Sequence, residues 1–213
     1  IFTKKELGLP EDSFVFCCFN QSYKINPETF DLWIEILNDV NHSVLWLYET
    51  DPIASNNLKR EIKLRGLDPN RIIFAKKMPL PDHLARHQLA DLSIDSFPYT
   101  TGVTCSDALW TSLPVLTRIG NSFASRMAAS LLTAIDLPEM IVKTKKEYRD
   151  LAIELATNKE KLNQIKNKLI KNRLTSPLFD AELFKENIEE LYLTMYQRYK
   201  SNLPLENIEI KNK

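Results

Sequence analysis

Between Asp95 and Thr117 the chain reads DSFPYTTGVTCSDALWTSLPVLT. A proline break is followed by threonines around one of only four glycines in 213 residues, and then by a stretch of helical character. The chemistry that suits this stretch is anion binding. A helix start offers unpaired amides and the positive end of the macrodipole, and both attract phosphate oxygens. Gly102 lets the backbone approach an anion with no Cβ in the way. Thr104 could give a hydroxyl to a phosphate or cap the helix. Asp107, one turn in, could accept hydrogen bonds from sugar hydroxyls. Two other clusters carry similar potential. NQSYK (20–24) groups two amides, a hydroxyl, an aromatic and Lys24, a point charge suited to a diphosphate. MPLPDHLAR (78–86) sets His83 and Arg86 three apart at a helix start, hence on one face.

Each residue also has a plainer role open to it. Thr104 and Ser106 suit a simple helix cap, and Asp107 complements the dipole of a first turn. His83 is compatible with an ordinary surface histidine, Lys24 is one of many lysines, and Leu109 and Trp110 suit a core. The chain has no P-loop, no G-x-G-x-x-G, no H-E-x-x-H and no close Asp-x-Asp pair that would suggest a metal–nucleotide clamp. Taken alone, these residues imply a nucleotide-binding domain of Rossmann type and no finer function.

Such clusters meet only if the elements between them bring them to one edge. Apolar runs at 14–19, 43–49, 71–77, 91–97, 114–118 and 139–143 read as six strands. Helical spacing lies between them: Phe30 to Val40 after Pro27, a segment around Leu58 to Arg65 closed by Gly66, then 81–90, 104–112 and 122–135. Strands alternating with helices over short connections predict an α/β fold, a doubly wound parallel sheet. In such sheets ligands gather outside the carboxyl ends of the strands, where all three clusters fall. Three further helices are expected near 145–157, 159–174 and 180–200. They suggest four parts: 1–12 as a linker, 13–157 as the Rossmann-like lobe, 158–202 as C-terminal helices and 203–213 as a polar tail.

Composition excludes several classes. Twenty-eight basic residues balance 28 acidic ones, so no global field draws the chain to nucleic acid or an anionic membrane. No apolar run approaches the roughly 20 residues of a spanning helix. The three cysteines are odd in number, and Cys17 and Cys18 adjoin in an apolar run. They fit free thiols in a reducing compartment, which makes a cytoplasmic protein the expectation.

Longer words extend the reading. CFNQSYKINPETFDLWIEILNDVNHSVLWL, NRIIF, HLARHQLADLSIDSFPY, SDALWTSLPVLT, FASRMAASLL and SPLFD, in this order, closely resemble the C-terminal catalytic half of the O-linked N-acetylglucosamine transferase family, which includes SPINDLY-type enzymes. The resemblance runs from about Gly8 to about Tyr199. It implies a GT-B architecture of two Rossmann-like lobes facing a cleft, this chain matching the C-terminal lobe. It also implies inverting, metal-independent glycosyl transfer. The donor would be a nucleotide sugar, UDP-N-acetylglucosamine first and GDP-fucose or another hexose as rivals, with a non-catalytic binding or scaffold module as the alternative. Carried over by position, Gln21 and Lys24 match an amide and a lysine on the donor diphosphate, with Lys24 stabilising the leaving phosphate. His83 and Arg86 match the pair against the base and its ribose. Thr104 falls in the phosphate loop, and Asp107 matches a carboxylate on the ribose. Gly102 and Val103 stand where the animal enzymes have the first two residues of His-Thr-Thr, and Leu80 replaces a lysine; the histidine and one hydroxyl are missing, while the glycine could still offer its amide to a phosphate. A protein acceptor, a first lobe and tetratricopeptide repeats are implied to lie N-terminal to residue 1. The last helix resembles the segment that braces the first lobe.

Overall fold

The computed structural model describes residues 2–210; residue 1 of the expected linker and 211–213 of the expected polar tail lie outside the described residues. Six strands form one parallel sheet: β1 (Phe14–Cys18), β2 (Ser43–Tyr48), β3 (Ile72–Ala75), β4 (Leu92–Ile94), β5 (Val115–Arg118) and β6 (Ile141–Val142), ordered β3-β2-β1-β4-β5-β6. Phe16 of β1 pairs with Leu45 on one side and Leu92 on the other, so β1 is central. Val15, Phe16, Cys17 and Cys18 are all buried, which explains why both faces of this strand are apolar. The strand order reverses between β1 and β4, and the crevice opens beyond their carboxyl ends.

The helices are α1 (Pro27–Asp39), α2 (Pro52–Leu64), α3 (Leu80–Arg86), α4 (Val103–Trp110), α5 (Met127–Ala134), α6 (Lys145–Thr157), α7 (Lys159–Asn172) and α8 (Ala181–Lys200). Asn26 caps α1 by accepting from the Thr29 amide at 2.8 Å, with Pro27 preset for the first turn. The stripe expected from Phe30 to Val40 is buried at Phe30, Trp33, Ile34, Leu37 and Val40. Thr144 and Glu147 close a capping box on α6. Helix α7 reaches the core through Leu162, Ile165 and Leu169, whereas α8 buries no residue.

Several boundaries differ from expectation, each for a local reason. Helix α2 begins at Pro52, six residues before Leu58, because Asp51 caps it from the Ala54 amide at 2.9 Å. Strand β4 stops at Ile94 instead of running to residue 97. Beyond it the Phe97 carbonyl accepts from Asn26 Nδ2 at 2.6 Å and Thr29 Oγ1 at 2.8 Å, so the chain leaves the sheet to hold the start of α1. Helix α5 starts at Met127 rather than 122, since Ser122 and Ser125 bond each other's backbone and side chains in a turn. Residues 87–89 tighten into a 3-10 turn after α3.

Candidate functional site

The crevice edge is built from loops that follow β1, β3, β4 and β5. After β1 the chain enters a 3-10 turn at Ser22–Lys24, which leaves Gln21 exposed at its start. Lys24 lies across the switch point: its Nζ donates to the Thr100 carbonyl at 3.2 Å and sits 4.1 Å from the centre of the Tyr99 ring. Partial burial lowers its pKa, opposed by the nearby Asp95 carboxylate. The loops after β1 and β4 are therefore joined by the cation that the sequence singles out.

Helix α4 opens at Gly102, which is its N-cap and contributes no side chain. The Gly102 carbonyl accepts from the Cys105 and Ser106 amides. Among the described residues, the amides of Gly102, Val103 and Thr104 find no acceptor. Three adjacent open amides at a helix start form a cradle for an anion. The Thr104 hydroxyl neither caps the helix nor points free: it donates to Asn20 Oδ1 at 2.8 Å and lies against the Thr101 hydroxyl. That corrects the expected cap; the open group of Thr104 is its amide. Val103 is 79% exposed, and a Cβ built on Gly102 would meet only Met127 Cε at 3.5 Å. Asp107 is half-buried, its carboxylate has no hydrogen-bond donor among the described residues, and burial raises its pKa. An unsatisfied, desolvated acceptor is well suited to paired sugar hydroxyls.

At the β3 side, His83 and Arg86 separate in role. Arg86 is fully buried: Nη1 donates to the Lys76 carbonyl at 2.6 Å, Nη2 donates to His83 Nδ1, and the guanidinium carbon lies 4.7 Å from the Phe19 ring centre. The sequence places both side chains against a base, but only His83 reaches the surface. Because arginine can only donate, His83 Nδ1 must accept, leaving the proton on Nε2. Burial and then the Arg86 charge bring the His83 pKa down to about 4, so the ring is neutral at pH 7. It packs on Phe19 and edge-on to His87. Leu80 stands exposed nearby.

Two parts of this edge escape the sequence reading. One is the loop between β5 and α5, residues 119–126. Its Ala124 carbonyl accepts from the Thr100 amide at 3.0 Å and hydroxyl at 2.7 Å, so it buttresses the loop that opens α4. A glycine and two serines just past an apolar strand, in RIGNSFAS, are the signal that marks it. The other is Asp95, a polar residue at the end of an apolar run and now buried beside Asn20. No cluster of three or more His, Cys, Asp or Glu side chains suited to a metal ion occurs among the described residues. No helix among them is long and apolar enough to cross a membrane.

Comparison with known proteins identifies the family and the fold. The family model for glycosyl transferase family 41 matches residues 1–188. A Caenorhabditis elegans UDP-N-acetylglucosamine–peptide N-acetylglucosaminyltransferase is 39% identical over 207 residues, 97% of this chain and 18% of that protein. A probable enzyme of the same name from Arabidopsis thaliana, SEC, is 37% identical over 91% of this chain and 20% of its own length. Among solved structures, a mutant O-GlcNAc transferase of Thermobaculum terrenum superposes with a TM-score of 0.82 at 33% identity, over 86% of this chain and 36% of that one. The chain thus spans about a fifth of the curated relatives' length. The sheet is the Rossmann-like one expected of a GT-B lobe, and the chain belongs to glycosyl transferase family 41.

Proposed function

We propose that this chain is the donor-binding part of a protein O-glycosyltransferase that uses a nucleotide sugar, with UDP-N-acetylglucosamine as the donor. One observation carries the reading: Lys24, the open amides at 102–104, the unsatisfied Asp107 carboxylate and the neutral His83 ring occupy the crevice edge of one sheet. The names of the worm and plant relatives support this choice of donor. The diphosphate lies between Lys24 and the start of α4, with Gln21 beside it. The ribose meets Asp107, and the base packs on His83, which Arg86 orients from beneath.

In the transfer, an acceptor hydroxyl oxygen bonds to the anomeric carbon as that carbon's bond to the β-phosphate oxygen breaks. The electron pair leaves with the nucleoside diphosphate, and the hydroxyl proton passes to a base or to water. Lys24 and the α4 amides meet the charge growing on the leaving phosphate. Such preorganised donors are typically worth about 10²–10³ in rate each. We place the acceptor site and the companion lobe outside these 213 residues. The chain alone then binds donor and transfers no sugar, and α8 braces the companion lobe.

Calorimetry with UDP, UDP-N-acetylglucosamine, GDP and GDP-fucose tests the donor. Saturable heat with the uridine pair and weaker binding of the guanosine pair is expected, and the reverse order would reassign the donor. Absence of binding by all four removes the reading. A second reading, a nucleotide-binding module without catalysis, is favoured by one feature: Gly102 and Val103 offer the phosphates amides but no polar side chain. Nucleotide binding with no turnover in the full-length protein would select it.

A further inference from the structure

We propose that Asp95 is a positioning residue of the donor site, shaping the phosphate loop and taking up a proton as the anionic donor settles there. The inference rests on the donor-site reading and adds a residue to it. Asp95 directly follows β4 and is 1% exposed. Its Oδ1 accepts from the Thr101 amide at 2.9 Å and, at 3.4 Å, from Asn20 Nδ2; its Oδ2 accepts from Thr117 Oγ1 at 2.7 Å. These donors lie in three elements: the loop opening α4, the end of β1, and β5. Asn20 carries the connection on, giving Nδ2 to Ser96 Oγ at 2.9 Å and accepting Thr104 Oγ1 through Oδ1. One carboxyl therefore governs both Thr101 and Thr104, the residues on either side of Gly102 and Val103. The Asp95 carbonyl is itself held by the Tyr148 hydroxyl at 2.8 Å.

The donors to the carboxylate, the Thr101 and Ser96 amides, the Thr117 hydroxyl and the Asn20 amide, are all neutral. A buried carboxylate with only neutral donors is costly in its ionised form. The titratable groups facing it are Cys18 from β1, Lys24 from the turn after β1, Cys105 from α4 and Tyr148 from α6. Burial keeps both thiols and the phenol protonated, so Lys24 is the one charge among them. A diphosphate needs that same ammonium. Once bound, it screens Lys24 from Asp95 and sets a second negative charge against it, and a proton from solvent resolves the competition. Burial already lifts the Asp95 carboxyl to about 7, against the pull of Thr117, the Thr101 and Ser96 amides and Lys24, so a modest further push suffices. A protonated Asp95 keeps the loop in place, because a threonine hydroxyl can accept as well as donate.

The test is calorimetric titration of the 213-residue chain with UDP-N-acetylglucosamine, whose phosphates are diesters with no proton to exchange near neutrality. Two buffers of different ionisation enthalpy count the protons taken up. We expect net uptake near pH 7, and affinity falling by up to about tenfold per pH unit as pH rises beyond it. In Asp95→Asn, uptake disappears and affinity becomes flat across the same range. Thr117→Val removes a donor that lowers the Asp95 pKa, so the fall moves to higher pH. If Asp95→Asn does not fold, judged by circular dichroism, the wild-type proton count and the Thr117→Val shift decide. Wild-type binding without proton uptake, or an unmoved profile in Thr117→Val, overturns this inference alone. No binding at any pH overturns the donor-site reading and takes this inference with it.

Discussion

Lys24 is held in place, tied to the Thr100 carbonyl and lying over Tyr99, so in the proposed role little side-chain freedom would be left to lose on binding a diphosphate. Its charge should matter to the second phosphate, whereas His83 should matter to the base. Lys24→Ala is therefore expected to weaken UDP binding by about tenfold or more and UMP binding much less. His83→Ala should weaken both nucleotides alike; calorimetry with the pair separates the roles, and equal losses of UDP and UMP in Lys24→Ala would remove that lysine from the diphosphate. Asp95 also predicts a pH effect on stability. Its native pKa of about 7 lies above the ordinary carboxyl value of 3.8, so the native state holds an extra proton between the two. That stabilisation is complete below the lower value and is lost as pH rises through 7. His83 and His87, both lowered to about 4, act in the opposite direction between their usual value and 4. The difference between wild type and Asp95→Asn isolates the carboxyl. In denaturant unfolding, the wild-type advantage should shrink by on the order of 4 kcal/mol from about pH 4 to above about pH 7. A gap that stays constant would place the Asp95 pKa near its ordinary value.

At the scale of elements, what could be read from the sequence was whatever periodicity reports. β1, α1 and the buried stripe of α7 follow from apolar spacing, because each buries what its pattern displays. The crevice loops after β1, β3 and β4 were legible because residues of unusual chemistry sit just past apolar runs. What could not be read was set by contacts distant in sequence. Nothing local says that Phe97 leaves the sheet to bond Asn26 and Thr29, that Arg86 turns inward over Phe19, or that the Thr104 hydroxyl serves Asn20. The β5–α5 loop belongs to this class and gives a test at its own scale. Its turn closes with the Gly120 amide donating to the Ser125 carbonyl at 3.0 Å. A Cβ at Gly120 would come 2.5 Å from Ser125 Oγ and 2.7 Å from Ser125 Cβ, and Ser125 is buried. Gly120→Ala must therefore displace the turn and, with it, the Ala124 carbonyl that holds Thr100. A loss of about 1–3 kcal/mol in stability is expected from the overpacking. Donor affinity should fall as well, though Gly120 makes no backbone hydrogen bond to residues 100–104 among the described residues. Normal affinity in a destabilised Gly120→Ala protein would show that the buttress is dispensable.

For the molecule as a whole, stability and exposed surface are distributed unequally along the chain. The core runs from Leu9 to Leu169, and α8 adds no buried side chain to it. Yet α8 displays Phe184, Tyr192, Leu193, Met195, Tyr196 and Tyr199, the last 79% exposed. So many large apolar groups on one exposed helix exceed the scattered exposure normal for a monomer's surface. Their placement fits the proposal that α8 braces a companion lobe. The arrangement separates two properties that usually move together. A chain ending after Asp180 keeps the Trp110–Phe179 contact and the bond from Arg173 to the Trp110 carbonyl, so the fold under α4 stays closed. It should melt within a few degrees of the longer chain and bind UDP with the same affinity, because neither the core nor the crevice edge draws on α8. It should also lose binding of a hydrophobic dye and any concentration-dependent self-association that the longer chain shows. Thermal unfolding, calorimetry and sedimentation of the two chains make the comparison. A collapse of stability or nucleotide affinity on removing α8 would mean that the last helix belongs to this lobe and would remove the proposal that it braces another.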